Sequence, residues 1–394
     1  MDLENKKVLV RVDYNVPIQD GIVEDDTKLK ATIPTINFLL EKNCRIILIS
    51  HLDRPQELLN EGKSFEEVKR KLTLKPVAEK LSEILDIEFA FADDSIGMKS
   101  VNQDIPEADI VLMENIQFHN GETKNDENFA QELASMAEIY VNDGFGQSHR
   151  EYASFCAITK FLPSCAGFLV ENEVKQLSKI LAPKKPFIAI VAGAKADKIG
   201  PLKLLCKKAD YILIGGVLAN TFLKAKNYNI GSSKFDEETF DDAKEIIKLA
   251  DKKLILPSDF IVADRLDSNA KIKTVKIGQM EKGWIAADIG PETVNDYKNR
   301  LKNAKTVLWA GPLGAFEIEK FSNGTREIGN FLASLNITKI VGGGDSAAAL
   351  EKFNLTEKMT YVSTGGGASL EFIEKEGKLP ALLALENYYK KSKK

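Results

Sequence analysis

The sequence has no long apolar segment, no excess of basic residues and only four cysteines. No apolar run approaches the roughly 20 residues that a membrane-spanning helix needs, and the charged first residues do not resemble a secretory signal. The formal net charge of −4 gives no general basic surface for a nucleic-acid backbone. The cysteines lack CxxC spacing, so neither a zinc site nor a disulfide framework is indicated. We therefore predict a cytoplasmic globular protein that binds neither nucleic acid nor a membrane.

Short apolar runs alternate with helical patterns in two series along the chain, which indicates parallel sheets with helices on both faces. In the first series, Pro34 predicts an early kink or a later start of its helix. The first series has predicted strands at 7–12, 45–50, 88–92, 109–113 and 139–142, and helices at 28–42, 76–85 and 128–136. The second has strands at 187–191, 211–214, 306–309, 340–341 and 361–363, and helices at 218–226, 346–353 and 368–375.

An amphipathic pattern at 171–181, followed by Pro183 and Pro186, separates the two series and predicts a connecting helix. The fold class is therefore α/β, with two Rossmann-like lobes whose parallel sheets are flanked by helices and joined by a hinge helix. The predicted boundaries are a first lobe at 1–170, a connector at 171–186, a second lobe at 187–378 and a C-terminal segment at 379–394. The final lysine run, 390–394, is expected to be a solvated tail.

Two glycine-rich junctions near the end of the chain predict a site for a phosphorylated ligand. Each has a β-prone run, three glycines and a helix-forming sequence, with the glycines at 342–344 and 365–367. Glycine permits a tight turn and exposes N–H groups at a helix N-terminus, where phosphate binds well. A single such junction could be a purely structural turn, but two junctions about twenty residues apart favour the phosphate site.

Polar clusters follow the predicted strands at the carboxyl edge of each sheet, where ligands of open α/β sheets bind. In the first half these clusters carry charge, for example His51 and Arg54 after one strand, and His149 and Arg150 after another. In the second half they carry glycine instead. Arginine and histidine suit a small, multiply anionic molecule, and glycine loops suit nucleotide phosphates. We therefore expect transfer between two phosphorylated ligands. Arg11 lies within a strand, and it could equally contact substrate or form an ion pair between the lobes.

Over essentially its whole length the chain resembles the phosphoglycerate kinase family, and the motifs stand in the family's order. Those of the first half are Val-Arg-Val-Asp-Tyr-Asn-Val-Pro at 10–17, Ser-His-Leu-Asp-Arg-Pro at 50–55 and Val-Asn-Asp-Gly-Phe-Gly at 141–146. Those of the second half are Gly-Gly at 215–216 with Ala-Asn-Thr-Phe at 219–222, Asp-Ile-Gly-Pro at 288–291, Trp-Ala-Gly-Pro at 309–312, and the segments 342–347 and 363–371.

The resemblance implies an enzyme of glycolysis that transfers a phosphoryl group reversibly between 1,3-bisphosphoglycerate and ADP, giving 3-phosphoglycerate and ATP. It implies a monomer that uses Mg²⁺ with ADP or ATP, binds the acyl phosphate on the first lobe and the nucleotide on the second, and closes at a hinge. It also implies that the C-terminal segment packs back towards the first lobe. Closure would exclude water from the reactive acyl phosphate.

The resemblance also assigns residues to three roles. Substrate binding falls to Asp13, Tyr14, Asn15, Lys28, His51, Arg54, Gln117 and Arg150. Nucleotide binding falls to Gly193, Lys195, Lys198, Gly215, Gly216, Pro312, Glu317, Gly343, Gly344, Asp345 and Ser346, with Asp345 near the magnesium. Catalysis falls to Lys28, Lys198 and the helix N-terminus at Gly366, which would face the transferring phosphate.

Several positions depart from the family pattern. Lys28 stands where the family carries a transition-state arginine, and Gln117 replaces the arginine of Arg-Phe-His. Asp53 replaces a glycine and adds a carboxylate beside Arg54. In the second half, Ala310 replaces an asparagine, and the loop between the two lysines of 193–198 is one residue short. Lysine keeps the positive charge but loses the planar, bidentate fork of arginine.

These departures leave two functional hypotheses. The first is a working phosphoglycerate kinase with a weakened acyl-phosphate site. The second is a related protein that binds nucleotide but has lost or changed the kinase reaction. An unrelated doubly wound protein with glycine turns is a third interpretation, which the number and order of the motifs disfavour.

Overall fold

The computed structural model describes residues 2–87, 89–96, 108–193 and 199–393. The chain forms two compact units, one comprising Met1–Val174 with Lys378–Lys394 and the other comprising Lys175–Gly377. Within the described ranges, no helix is both long enough and apolar enough to cross a membrane. The α/β class with parallel sheets flanked by helices, predicted from the alternating pattern, is confirmed.

The first unit is built on a sheet of six parallel strands. Val8 and Val10 of one central strand pack into a cluster on one face, whereas Leu9 packs into a second cluster on the other face. Burial on both faces explains why these strands are continuous apolar runs rather than alternating ones. In spatial order the strands are Ala90–Ala92, Ile110–Met113, Arg45–Ile49, Lys7–Arg11, Ile139–Asn142 and Ser164–Ala166.

The helices of the first unit include one that runs through a proline. Thr27–Glu41 continues past Pro34, so the predicted later start is wrong. Burial of Leu29, Ile36 and Leu39 against the sheet stabilises this helix despite the missing N–H of the proline. The other helices are Pro55–Asn60, Phe65–Leu72, Lys75–Leu85, Asn120–Thr123, Glu127–Ala134, Phe168–Leu181, which extends into the second unit, and Pro380–Ser392. Three short 3₁₀ helices are Ile116–Phe118, Phe145–Gln147 and Ala157–Lys160.

The C-terminal helix, Pro380–Ser392, belongs to the first unit. The Ala381 N–H donates to the Ser148 carbonyl at 3.1 Å, and Leu385 packs against the core cluster that contains Leu9. Lys390 and Lys391 lie in this helix with exposed side chains, so this part of the lysine run is solvated, as expected, but helical.

The second unit has its own parallel sheet of six strands. In spatial order they are Leu254–Ile255, Tyr211–Ile214, Phe187–Val191, Thr306–Ala310, Thr338–Gly342 and Tyr361–Val362. The helices are Ile199–Lys208, Gly216–Ala225, Phe240–Ala250, Pro291–Leu301, Asn323–Ser334, Gly344–Lys352 and Gly367–Glu374, with 3₁₀ helices at Asp251–Lys253, Glu319–Phe321 and Thr356–Lys358.

Two small antiparallel sheets were not predicted. Ile272–Lys276, Asp259–Ala263 and Ile285–Ile289 form a three-stranded sheet in the second unit. Ile18–Gln19 and Ile22–Val23 form a hairpin in the first. The strands of both sheets interrupt the βα alternation on which the prediction relied.

Each parallel sheet has a point where the chain reverses its direction of travel across the sheet. In the first unit this point lies between Lys7–Arg11 and Ile139–Asn142, and in the second it lies between Phe187–Val191 and Thr306–Ala310. Ligands of open α/β sheets bind beyond the carboxyl ends of the strands at such a point. The segments that leave these four strands are therefore the place to look for the sites.

Candidate active site

A polar cavity of about 410 Å³ lies beyond the carboxyl edge of the first unit's sheet. It brings together five of the residues assigned to substrate binding, although these come from four separate segments of the chain. The five are Asn15, His51, Arg54, Gln117 and Arg150. The remaining lining residues are Asp53, Gln56, Glu57, Thr123, Gln147 and Tyr152, of which only Asp53 was singled out from the sequence.

His51 lies at the wall of this cavity and is almost completely buried. Its Nδ1 atom is 3.5 Å from an Nη atom of Arg11. Burial and the positive charges of Arg11 and Lys28 outweigh the carboxylate of Asp13 and lower the pKa of His51 to about 3. The imidazole is therefore neutral at physiological pH and offers the cavity a hydrogen bond rather than a charge.

Lys28 and Asp13 form an ion pair next to the cavity. The Lys28 Nζ donates to Asp13 Oδ2 and to the Asn15 carbonyl, each at 3.1 Å. Burial alone would raise the pKa of Asp13, but the charge and hydrogen bond of Lys28 and the N–H of Asn15 hold that pKa below its usual value. Since an ammonium has three donors, Lys28 retains one for a ligand while it is held by the loop after Lys7–Arg11.

Arg54 and Arg150 are the exposed cations of the cavity. Arg54 pairs with Glu57 at 2.8 Å, whereas the Arg150 guanidinium forms no ion pair with any described residue. Arg150 is therefore the cation of this cavity that is most available to an anion.

Arg11 is buried inside the first unit and pairs there with Glu122, so neither interpretation offered for it describes its side chain. Its side chain is fully buried, with an Nη atom 3.6 Å from Glu122 Oε1, and it lies over the Phe155 ring. The Arg11 Nε donates to Ser154 Oγ at 2.8 Å, and that hydroxyl donates to Glu122 at 2.7 Å. The first unit thus contains a buried ion pair between Arg11 and Glu122, and its arginine contacts His51.

Tyr14 is a correction to the predicted substrate-binding set. Its side chain is fully buried, and its hydroxyl is bonded to Thr32 Oγ1 at 2.8 Å. Its N–H donates to Ser50 Oγ at 2.8 Å. Both polar groups that could reach a ligand are therefore already used inside the unit, so Tyr14 shapes the loop rather than contacts substrate.

Asp53 has a left-handed backbone, with φ +52°, where the family resemblance places glycine. Because its carboxylate opposes an anionic ligand, we expect Asp53→Asn to lower the KM for the substrate that the resemblance implies, 3-phosphoglycerate, by about two- to fivefold, a gain that shrinks with added salt. Asn tolerates this backbone conformation. Asp53→Gly is the matched variant that also removes the side chain. Equal gains in steady-state assays identify charge as the cause, a gain in Asp53→Gly alone identifies the backbone, and no gain in either refutes the prediction.

A more apolar cavity, of about 310 Å³, lies in the second unit. Its walls include Val217, Phe260 and Leu266, which could hold a nucleobase by apolar contact. Five residues assigned to nucleotide binding line it, namely Gly193, Gly216, Pro312, Glu317 and Asp345. Lys195 and Lys198, assigned with them, lie outside the described residues.

Gly216 begins a helix at this cavity and has no room for a side chain. Its φ is +61°, and a Cβ atom would come within 2.6 Å of the Gly193 nitrogen. Gly215, which precedes the helix Gly216–Ala225, is equally crowded by Leu313. These glycines therefore allow two strand-end loops to approach each other closely, a structural need that exists beside any contact with nucleotide.

The two glycine junctions near the end of the chain form helix N-termini, as their sequences predicted. Gly343 precedes Gly344–Lys352, and Gly366, with φ +53°, precedes Gly367–Glu374. The first N–H groups of a helix have no intrahelical acceptor and attract anions. Asp345 is in the first turn of the earlier helix and also lines the cavity.

Ser346 is a second correction, because its side chain faces the protein interior. Its Oγ donates to the Gly342 carbonyl at 3.0 Å and accepts from the Gly311 N–H at 2.6 Å. Its own N–H donates to the Gly343 carbonyl at 3.2 Å. Ser346 therefore connects the loops after two neighbouring strands and has no group available to a nucleotide.

Asp288 is a cavity residue to which the sequence analysis gave no role, although its Asp-Ile-Gly-Pro motif was noted. It is buried and accepts N–H groups from Gly324 at 2.7 Å and from Ile289 at 2.8 Å. Burial outweighs these hydrogen bonds and raises its pKa to about 7. Asp288 thus holds in place the loops that line this cavity of the second unit.

The donors in the second unit fit a magnesium ion that is held mainly by a nucleotide. No cluster of three or more His, Cys, Asp or Glu side chains in the described parts of the chain could enclose a metal by itself. Asp345 nevertheless places one carboxylate at the cavity wall beside the glycine junction. Mg²⁺ is commonly bound by one or two carboxylates together with substrate phosphates, which is the mode this arrangement allows.

Comparisons with known proteins agree on one family. The family model described as "Phosphoglycerate kinase" matches residues 1–377. The phosphoglycerate kinase of Thermosipho africanus is 44% identical over 98% of this chain and 96% of its own, and the cytosolic phosphoglycerate kinase of Nicotiana tabacum is 43% identical with the same coverage. The structure of phosphoglycerate kinase from Coxiella burnetii has a TM-score of 0.84 at 39% identity, covering 99% of this chain and 98% of that one.

Proposed function

The chain belongs to the phosphoglycerate kinase family, and from that membership we propose how its residues divide the work of the reaction. The activity is phosphoryl transfer between 1,3-bisphosphoglycerate and ADP, giving 3-phosphoglycerate and ATP. A relative that has lost this reaction, the second hypothesis from the sequence, is not favoured. The observation that carries the assignment of sites is the presence of a polar cavity lined by two arginines in one unit and of a cavity lined by glycine loops in the other.

The glycerate ligand is held in the cavity of the first unit. Arg54 and Arg150 pair with its anionic groups, His51 and Asn15 supply neutral hydrogen bonds, and Gln117 takes the place of a third cation. Support comes from the common cavity of these five residues and from the exposed guanidinium of Arg150, which forms no ion pair with any residue that the structure describes. A site with two arginines instead of three, one of them paired with Glu57, is expected to bind this ligand more weakly.

The nucleotide is held in the cavity of the second unit. Apolar walls at Val217, Phe260 and Leu266 contact the base, and the glycine junction at Gly343–Gly344 receives the phosphates through backbone N–H groups. Asp345 holds the Mg²⁺ together with phosphate oxygens. When bound, the ion neutralises charge on the phosphates during transfer. Lys195, Lys198, Gly215 and Glu317 complete the assignment from the family resemblance.

Lys28 and the helix N-terminus at Gly366 stabilise the transferring phosphoryl group. Phosphoryl transfer demands positioning and electrostatic stabilisation with little covalent work by the protein. Because the two ligands bind to different units, in-line transfer requires domain closure, and that closure excludes water from the acyl phosphate. We place this activity in the cytoplasm, as in the tobacco relative named cytosolic, and in a monomer.

Turnover of 3-phosphoglycerate by the purified protein with Mg-ATP, in a coupled assay, tests the proposed function. The Lys28→Arg, Gln117→Arg double variant, which restores the family residues, runs beside it. Substantial turnover by the native chain is expected. If the native chain binds ADP but is inactive, and the double variant is active, the second hypothesis is favoured instead.

Replacement of Asp345 tests the metal assignment. Asp345→Asn is expected to weaken binding of ADP in the presence of Mg²⁺ by at least about tenfold, since even outer-shell partners of a metal typically contribute 10- to 100-fold. Binding of ADP in EDTA should stay unchanged. Asp241→Asn, an exposed aspartate of the same unit, is the control. Isothermal titration distinguishes the cases, and an equal loss with and without Mg²⁺ contradicts the assignment.

A further inference from the structure

Glu57 lines the polar cavity of the first unit, called the glycerate cavity below. It forms an ion pair with Arg54, one of the two arginines proposed to bind the ligand. Its Oε1 is 2.8 Å from Nη1 of Arg54, which directly precedes the helix Pro55–Asn60. The two side chains are 63% and 66% exposed, so a ligand in the cavity can reach the pair. Exposed pairs of this kind are typically worth only about 0–1 kcal/mol, and an anion can therefore displace Glu57.

The charges that line the cavity cancel. Arg54 and Arg150 are positive, Asp53 and Glu57 are negative, and His51 is neutral because its pKa is far below physiological pH. An anionic ligand therefore meets no net positive charge on entry. Its attraction depends on replacing Glu57 at Arg54, where a phosphate or carboxylate can accept two parallel hydrogen bonds from the guanidinium.

We propose that Glu57 is a specificity-determining residue, whose carboxylate competes with the anionic substrate for Arg54. This rests on the proposed placement of the glycerate ligand in this cavity. Every anion must displace the same carboxylate from Arg54, and a phosphate carrying about two negative charges is also repelled by that carboxylate more strongly than a singly charged anion is. Glu57 therefore lowers the affinity for all anions and penalises doubly charged ones most.

The test compares the native chain with Glu57→Gln, which keeps the shape of the side chain and removes its charge. The KM for 3-phosphoglycerate should fall between about two- and tenfold, because losing both the competing pair and a repulsive charge is worth up to about one factor of ten. The KM for ATP should not change. Inhibition by chloride, a singly charged anion, should strengthen by a smaller factor than the KM falls.

Glu83→Gln is the matched control. Glu83 forms an exposed pair with Lys80 at 3.0 Å and the same i,i+3 spacing, but it lies outside the glycerate cavity. The KM of the Glu83→Gln variant for 3-phosphoglycerate should equal that of the native chain. In an Arg54→Met background, Glu57→Gln should lower the KM by a smaller factor than it does in the native chain, because the competition exists only at Arg54.

An increased KM in Glu57→Gln would show that Glu57 orients Arg54 for the substrate, and an unchanged KM would show that it does not compete. Either result overturns the proposal while leaving the kinase function intact. If the native chain neither turns over nor binds 3-phosphoglycerate, the proposed function fails and the inference fails with it. Measured binding and turnover therefore separate the two failures.

Discussion

Lys28→Ala is expected to lower kcat/KM for 3-phosphoglycerate by roughly 10³-fold or more. In other phosphoryl-transfer enzymes, a positive side chain at the transferring group contributes about 10³–10⁵ in rate. Lys28 is held by Asp13 and the Asn15 carbonyl, each at 3.1 Å, and keeps a third donor for the phosphoryl oxygens. Alanine removes the only part of this side chain that can stabilise the transferred charge.

Two further variants make this result specific. Lys28→Arg, which provides a planar fork, should retain activity within about tenfold of the native chain or exceed it. Lys30→Ala removes an exposed lysine of the same helix, paired with Asp26, and should have no effect. Steady-state kinetics and thermal unfolding of all three variants provide the measurement. A Lys28→Ala protein that folds and keeps more than a fifth of native activity would exclude Lys28 from catalysis.

Most strands of the two parallel sheets could be predicted because they are continuous apolar runs, but the short edge strands Ser164–Ala166 and Leu254–Ile255 were missed. Ile139–Asn142 and Phe187–Val191 match the predicted bounds, since burial on both faces leaves a signal that does not depend on neighbours. The antiparallel strand Ile272–Lys276 alternates exposed and half-buried residues, a period of two that was not sought. The helix Phe65–Leu72 was also missed, although Ser64 and Glu67 form a capping box that is visible in the sequence.

The sequence predicted which loops contribute to the candidate site, but not which side chains of those loops line it. Strand ends mark the loops, and the cavity at 410 Å³ contains five of the residues expected there. Which way each side chain points depends on packing that no local pattern records. Tyr14 turns inward to Thr32 while Asn15 lines the cavity, and Ser346 turns inward while Asp345 lines the other cavity. Glu57 could not be foreseen, because nothing in its local sequence places it beside the substrate.

The buried pair of Arg11 and Glu122 is the other feature that depends on distant parts of the chain, and breaking it is expected to have the largest effect on stability. Arg11→Met should lower the free energy of unfolding by about 3–5 kcal/mol, because a buried carboxylate loses its counter-charge. Lys6→Met breaks the exposed pair with Glu138 and should cost less than about 1 kcal/mol. Urea unfolding at pH 7.5 would compare the two variants.

The pH dependence of the free energy of unfolding shows whether Arg11→Met destabilises the protein by removing the counter-charge of Glu122. Burial raises the pKa of Glu122 above its usual value, and Arg11 limits that increase. In Arg11→Met the pKa should rise further, so the folded protein binds a proton that the unfolded chain lacks, and stability is lost as pH rises through this interval. The cost of Arg11→Met should therefore shrink as pH falls towards the ordinary pKa of a glutamate, about 4.3.

Adding Glu122→Gln removes the titrating group, keeps an acceptor for Ser154, and should make the cost of Arg11→Met smaller and independent of pH. If the single and double variants are equally unstable at every pH, the charge of Glu122 is not what Arg11 stabilises, and packing over Phe155 is the explanation instead.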